Sequence, residues 1–293
     1  MAGRGARAHT AALAAAQVNF LLLGEQATGK SSLLVALYGA LVNQRAENLR
    51  IVRTIDDVEF LSRGLLAFGR QESVRRTEID SHARLIVELA RGEQLVSLDI
   101  PDRSGEVLKH TLDSRLWDPD LLEQVVSADA AMLFLRADRL EPLENPQVAM
   151  IARPAGGETE DASPSAPAPA WSPALMQPDA RAVDLLQALL AERSRPLPVA
   201  VIISAWDSVG TVAVGPREWL SQSVLLLDQY LTSNSARLPH AVFGVSAQGG
   251  DFTAGLPAEL AGEDPWDRAY VIAPSGQRDT LAAPIIWLLD AVS

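Results

Sequence analysis

Cysteine is absent from the 293-residue chain. Disulfides, thiolate catalysis and Cys-ligated zinc are therefore excluded together. Lysine is nearly absent: Lys30 and Lys109 are the only two among 25 Lys and Arg residues. A cationic excess is missing as well, because the formal net charge is -12. That balance argues against a nucleic-acid binder, which needs a basic face to displace counterions. A polyanionic ligand is not excluded, since a local cluster of N–H groups, one ammonium and a divalent cation can hold it. The four histidines (His9, His82, His110 and His240) are scattered and show no metal-ligand spacing. No uninterrupted apolar stretch approaches the roughly 18 residues of a membrane span. The opening "MAGRGARAHTAALAAA" has an apolar part, Ala11 to Ala16, too short for a secretory segment, so residues 1–16 read as a frayed or helical leader. The expectation is a soluble, cytoplasmic chain. Its 48% hydrophobic and 21% charged residues suit an ordinary globular core.

One of the two lysines lies in "VNFLLLGEQATGKSSLLVALYGAL", residues 18–41. Gly24-Glu25-Gln26-Ala27-Thr28-Gly29-Lys30-Ser31 fits the spacing G-x-x-x-x-G-K-S/T completely, and Ser32 follows. The glycines let the turn curl so that successive backbone N–H groups point at phosphate oxygens, and the helix after it adds its positive N-terminal end. Lys30 can then reach the outer phosphates, and the Ser31 hydroxyl can ligate Mg²⁺. A chain that otherwise writes its cations as Arg has Lys here, where a compact ammonium differs from a planar guanidinium. The flanks agree: Val18 to Leu23 reads as a buried strand and Ser31 to Leu41 as an apolar helix.

Beyond it, strands and helices alternate as in an α/β protein. A long connection, Ala46 to Asp80, holds a further helical pattern in "DDVEFLSRGLLAFGR". "HARLIVELARGEQLVSLDI" reads as a β-hairpin turned at Arg91-Gly92-Glu93, and one helix is expected over Glu106 to Val126 before the strand "AAMLFLRA". Residues 141–180 are dense in Pro, Ala, Gly and Ser and read as a flexible surface insertion, with Met150, Ile151, Trp171 and Met176 as its large apolar residues. The alternation resumes with a helix at Ala180 to Arg193, the strand "PVAVIISA", a helix at Pro216 to Leu231, the strand "AVFGVSA" and a last helix near Leu281 to Val292. Residues 17–293 are thus expected to form one phosphate-loop domain carrying the insertion.

A second stretch, "LVSLDIPDRSGE", ends an apolar strand in Asp102, with Gly105 three positions on. It resembles the D-x-x-G stretch of Ras-like GTPases, down to the hairpin that delivers it. The resemblance implies that Asp102 holds Mg²⁺ through water and that the Gly105 N–H approaches the γ-phosphate. It also implies a switch threonine on Mg²⁺, for which Thr77 in "SVRRTEID" is preferred and Thr54 is the competitor. Ser204-Ala205-Trp206-Asp207 is similar to the N-K-x-D signature, in which the Asp accepts from guanine N1 and N2. Asp207 preserves that acceptor, Ser204 replaces part of the Asn, and Ala205 lacks the Lys stem that covers the base. "GVSAQGG" resembles the S-A-K turn, with Ser246 and Ala247 matching and Gln248 in place of Lys.

The chain is therefore similar, over about residues 17–250, to the translation-factor and Ras-related class of phosphate-loop GTPases. The long switch segment, the S-x-W-D form and the closing "APIIWLLDA" look like bacterial double-GTPase-type proteins of predicted conflict systems. The implied fold is an α/β, mixed and mostly parallel six-stranded sheet with helices on both faces. The implied activity is a Mg²⁺-dependent GTP/GDP switch with slow hydrolysis, read by an unknown protein effector or regulator. Lys30, Thr77, Gly105 and Glu106 are the catalytic candidates. Glu106 stands where such proteins carry a water-orienting Gln, and Arg75 with Arg76 precede Thr77, near where some GTPases carry an arginine finger. An ATPase and a nucleotide-binding interaction module without turnover are the alternatives.

Overall fold

The computed structural model describes residues 16–46, 49–54, 58–70, 84–92, 94–101, 105–140, 176–210, 214–250, 260 and 262–293. Along the chain the elements are β1 (Ala16–Leu23), α1 (Lys30–Val42), β2 (Arg50–Thr54), α2 (Val58–Gly69), β3 (Arg84–Arg91), β4 (Gln94–Pro101), α3 (Gly105–Ser114), α4 (Pro119–Ser127) and β5 (Ala130–Arg136). They continue with α5 (Pro178–Ala191), β6 (Val199–Ser204), α6 (Pro216–Ser223), α7 (Leu225–Ser233), β7 (His240–Ser246), α8 (Pro265–Arg268), β8 (Tyr270–Ile272), β9 (Arg278–Asp279) and α9 (Ala283–Val292).

The strands form one sheet in the order β2-β3-β4-β1-β5-β6-β7-β8-β9. Its centre, β4-β1-β5-β6-β7, is parallel. β3 joins it antiparallel through the expected hairpin. These six strands are the mixed, mostly parallel sheet that the sequence implied. Three more extend it at the edges: β2 beside β3, and β8 with β9 beyond β7.

Alternate residues of β1, β5, β6 and β7 enter opposite cores, which is why these strands read as continuous apolar runs. Phe20, Met132, Phe134, Ile202 and Phe243 meet α1, α2 and α9 on one face. Leu21, Leu23, Leu133, Leu135, Val201 and Ile203 meet α3 to α7 on the other. α1 buries residues on nearly every side, Leu33 to Leu37 consecutively, because α2 and α8 cover what the sheet does not.

Two expected helices are each broken in two. Between α3 and α4 the chain reverses at Arg115 (φ 60), and Asp118 restarts it as N-cap, accepting from Leu121 N at 3.0 Å with Pro119 as the first helical residue. Proline lacks the N–H that would continue the earlier helix. Between α6 and α7, Val224 leaves helical geometry (φ -134, ψ 55) and is fully buried in the core. Arg193 and Arg195 close the C-terminal end of α4, donating to the carbonyl of Ala128 at 2.9 Å each. Those carbonyls have no helical partner of their own.

Candidate functional site

The phosphate loop spans the gap between Leu23, the last residue of β1, and Lys30, the first of α1. Its curl depends on positive φ at Gly24 (152), Ala27 (59) and Gly29 (90). A Cβ on Gly24 would stand 2.8 Å from Thr28 Oγ1, and one on Gly29 would stand 3.0 Å from Ser204 Cβ. The two glycines are thus demanded by space as well as by torsion. Thr28 is buried, and its hydroxyl donates to the carbonyl of Glu25 at 2.9 Å. The Lys30 ammonium folds back over the loop, donating to the carbonyls of Gly24 at 2.6 Å and Glu25 at 2.7 Å. Phosphate oxygens would compete with those carbonyls for the same protons. Ser31 and Ser32 follow in the first turn of α1, half-buried beside the loop. The cradle and its donors fit a phosphate chain, and the Ser31 hydroxyl fits a hard cation such as Mg²⁺.

Four side chains from other elements rim this loop. Gln26 Nε2 donates to Glu106 Oε1 at 3.2 Å, which ties the loop to the first turn of α3 just after Gly105. Arg136, at the end of β5, donates to the carbonyl of Ala27 at 3.3 Å. Arg139 closes the short 3-10 turn Ala137–Arg139 and donates to the carbonyl of Gln26 at 3.2 Å. Arg181, buried on α5, pairs with Glu25 at 2.5 Å and with Asp113 of α3 at 3.1 Å. Burial works against its charge, but the hydrogen bonds and charges of Glu25 and Asp113 outweigh burial and raise its pKa. None of these arginines stands in a motif, so spacing alone could not have found them.

The residues that the sequence resemblance assigns to the base stand at and just beyond neighbouring strand ends. Ser204 ends β6, and its hydroxyl donates to the carbonyl of Thr28 at 2.7 Å. That bond ties the strand to the phosphate loop. Ala205 turns through φ 53 into the 3-10 turn Trp206–Val209. Trp206 anchors the turn: it is 8% exposed, packs edge-on to Trp219 with ring centroids 6.0 Å apart, and lies where a Cβ on Gly244 would be 2.3 Å from its ring. Asp207 Oδ1 accepts from Ser246 Oγ at 2.5 Å, and Ser246 Oγ in turn accepts from Gly249 N at 3.1 Å. One carboxylate oxygen is thereby fixed. Ala247 follows Ser246, packed against the core. Strand β8, next to β7, adds Tyr270 opposite Ser246. Burial and the nearby Asp207 charge raise the Tyr270 phenol pKa, against the Arg278 guanidinium, which lies 4.9 Å from the ring centroid.

The structure therefore brings together the loop residues 24–32, Gly105, Glu106, Ser204, Asp207, Ser246 and Ala247. Thr77, Asp102, Arg75 and Arg76 lie outside the described residues, as do Met150, Ile151 and Trp171. Thr54 ends β2, three strands from β1 in the sheet. No helix among the described residues is long and apolar enough to cross a membrane.

No curated protein matches the chain. A protein-family match does cover residues 21–288, from the first strand to the last helix. It spans the phosphate loop and the pair Asp207–Ser246 alike, and it implies guanine-nucleotide binding. On that match the chain belongs to the Double-GTPase 1 family.

Proposed function

We propose that the chain is a Mg²⁺-dependent GTP-binding switch that hydrolyses GTP slowly in the cytoplasm. The observation that carries this reading is the bond from Ser204 Oγ to the Thr28 carbonyl, which holds the base-reading strand end against the phosphate loop. Ligands of open α/β sheets bind at such carboxyl ends. In this reading the loop N–H groups and Lys30 bind the phosphates, and Asp207 accepts from the guanine N1 and N2 protons. Ser31 and Thr77 would hold the Mg²⁺ directly and Asp102 through water, and the ion would neutralise charge on the terminal phosphates. The Gly105 N–H approaches the γ-phosphate, and the nucleotide state is read by a protein effector or regulator. Glu106, a carboxylate in the position of a water-orienting amide, accounts for slow turnover. Equilibrium affinities for GTP, GDP and ATP, each with and without Mg²⁺, test it together with single-turnover hydrolysis. GTP and GDP are expected to bind and ATP to compete weakly. Equal affinity for ATP would overturn the guanine assignment.

A further inference from the structure

Gln26 lies in the middle of the phosphate loop and serves two partners at once. Its side-chain amide donates to the Glu106 carboxylate, and its backbone carbonyl accepts from the Arg139 guanidinium. An acid from α3 and a base from the turn after β5 thus meet at one loop residue. Each answers a problem that the other creates. A carboxylate beside a bound triphosphate is repelled, and a cation within a few ångströms offsets that repulsion.

Arg136 and Arg139 are neighbours with different freedom. Arg136 is locked in a fork on Asp138, Nε to Oδ1 at 2.6 Å and Nη2 to Oδ2 at 2.9 Å, and that pairing, opposed by burial and helped by the more distant Arg139 charge, lowers the Asp138 pKa. Arg139 is exposed. It has no carboxylate within ion-pair distance among the described residues, and its one hydrogen bond there goes to a backbone carbonyl. Such a bond is replaced readily by one to an anionic oxygen, which is the stronger acceptor.

We propose that Arg139 is the charge-compensating arginine of the phosphate site, moving from the Gln26 carbonyl to the terminal phosphate when a triphosphate is bound. The proposal rests on the GTP reading above. In the hydrolytic step, water oxygen bonds to the γ-phosphorus and the bond to the β–γ bridging oxygen breaks. GDP takes the electron pair, and the proton lost by water leaves with the products. Arg139 neither gives nor takes a proton; it offsets the Glu106 charge and the charge spreading over the equatorial oxygens. A well-placed arginine in that role contributes about 10³ to 10⁵ in rate.

The test uses the full chain as wild type, Arg139→Ala and Arg139→Lys. Three quantities are measured: GDP affinity, affinity for GDP with aluminium fluoride, and single-turnover GTP hydrolysis. GDP affinity is expected to stay within about twofold, because GDP lacks the terminal phosphate. Hydrolysis and binding of GDP with aluminium fluoride are expected to fall together in Arg139→Ala, by about 10³-fold. Arg139→Lys should recover little, since an ammonium lacks the planar fork. Added free guanidinium ion should restore part of the Arg139→Ala rate, a rescue that a structural role would not show. Unchanged hydrolysis and unchanged aluminium-fluoride binding in Arg139→Ala, with normal GDP affinity, overturn this proposal alone. A parallel loss of GDP affinity in that variant also overturns it, because the residue would then hold the loop together. A wild type that binds no GDP overturns the GTP reading itself.

Discussion

In the proposed GTP reading, Lys30 rests on loop carbonyls that phosphate oxygens would replace. Its ammonium is half-buried at the loop mouth and touches the loop's own carbonyls, so removing it costs little packing but removes the mobile charge for the outer phosphates. Lys30→Ala is expected to lose GTP affinity by at least about 10²-fold, with an unchanged thermal midpoint in the absence of nucleotide. Calorimetric titration and a melting curve check both halves. Asp207 is the second informative residue, because Ser246 holds one of its oxygens and sets the direction of the other. Asp207→Asn presents an amide donor where guanine offers its own amine. Xanthine carries an oxygen there, so preference should shift from GTP to xanthosine triphosphate in a competition assay. A variant that retains full GTP preference would move base recognition elsewhere. Both residues were legible in the sequence because their chemistry is local to a motif. Arg139 and Arg181 were not, since each meets the loop only when the turn after β5 or helix α5 carries it there.

At the scale of elements, hydrophobic pattern located β1, β5, β6 and β7 well, because each buries both faces and reads as a short apolar run. The hairpin was legible from its turn residues, and the pairing runs from Arg84 with Pro101 to Arg91 with Gln94. The breaks between α3 and α4 and between α6 and α7 were missed, because apolar periodicity continues across both. Pro119 and the Asp118 cap were the available signal for the first. For the second, Val224 carries no breaker chemistry, and only its place in the core explains the turn. β8 and β9 were missed for another reason: three and two residues are too few to show a period. The Asp118 cap offers a direct measure of the α3–α4 boundary. Asp118→Ala removes the acceptor of Leu121 N and should destabilise the chain by about 1 kcal/mol. A lowering of the melting midpoint by about 2–4 °C in the nucleotide-free protein is the expected reading, and no change would show that Pro119 alone sets the boundary.

Across the whole molecule, the excess of negative charge is interrupted around the phosphate loop, where Lys30, Arg136, Arg139 and Arg181 converge. Arg181 joins three elements there, because its partners Glu25 and Asp113 stand on the phosphate loop and on α3. It is 8% exposed, so it depends on both carboxylates; an uncompensated buried charge is costly. The Lys109 hydrogen bond lowers the Asp113 pKa, burial opposes it, and Arg181 lowers it further. The unfolded chain, with Asp113 near its ordinary 3.8, therefore binds this proton more readily than the folded one. Stability from Asp113 is then fully present above that value and is lost as pH falls through the lower folded pKa. Asp113→Asn removes the charge at every pH. The stability gap between wild type and Asp113→Asn should be constant from pH 7 to about pH 5 and should narrow steadily below pH 3.8. Lys109 is largely exposed and its pair with Asp113 is worth little, so most of the gap should vanish in an Arg181→Met background. Chemical denaturation of the four proteins across that range measures it. A gap that widens on acidification, or that persists without Arg181, would show that Asp113 does not act through the buried guanidinium.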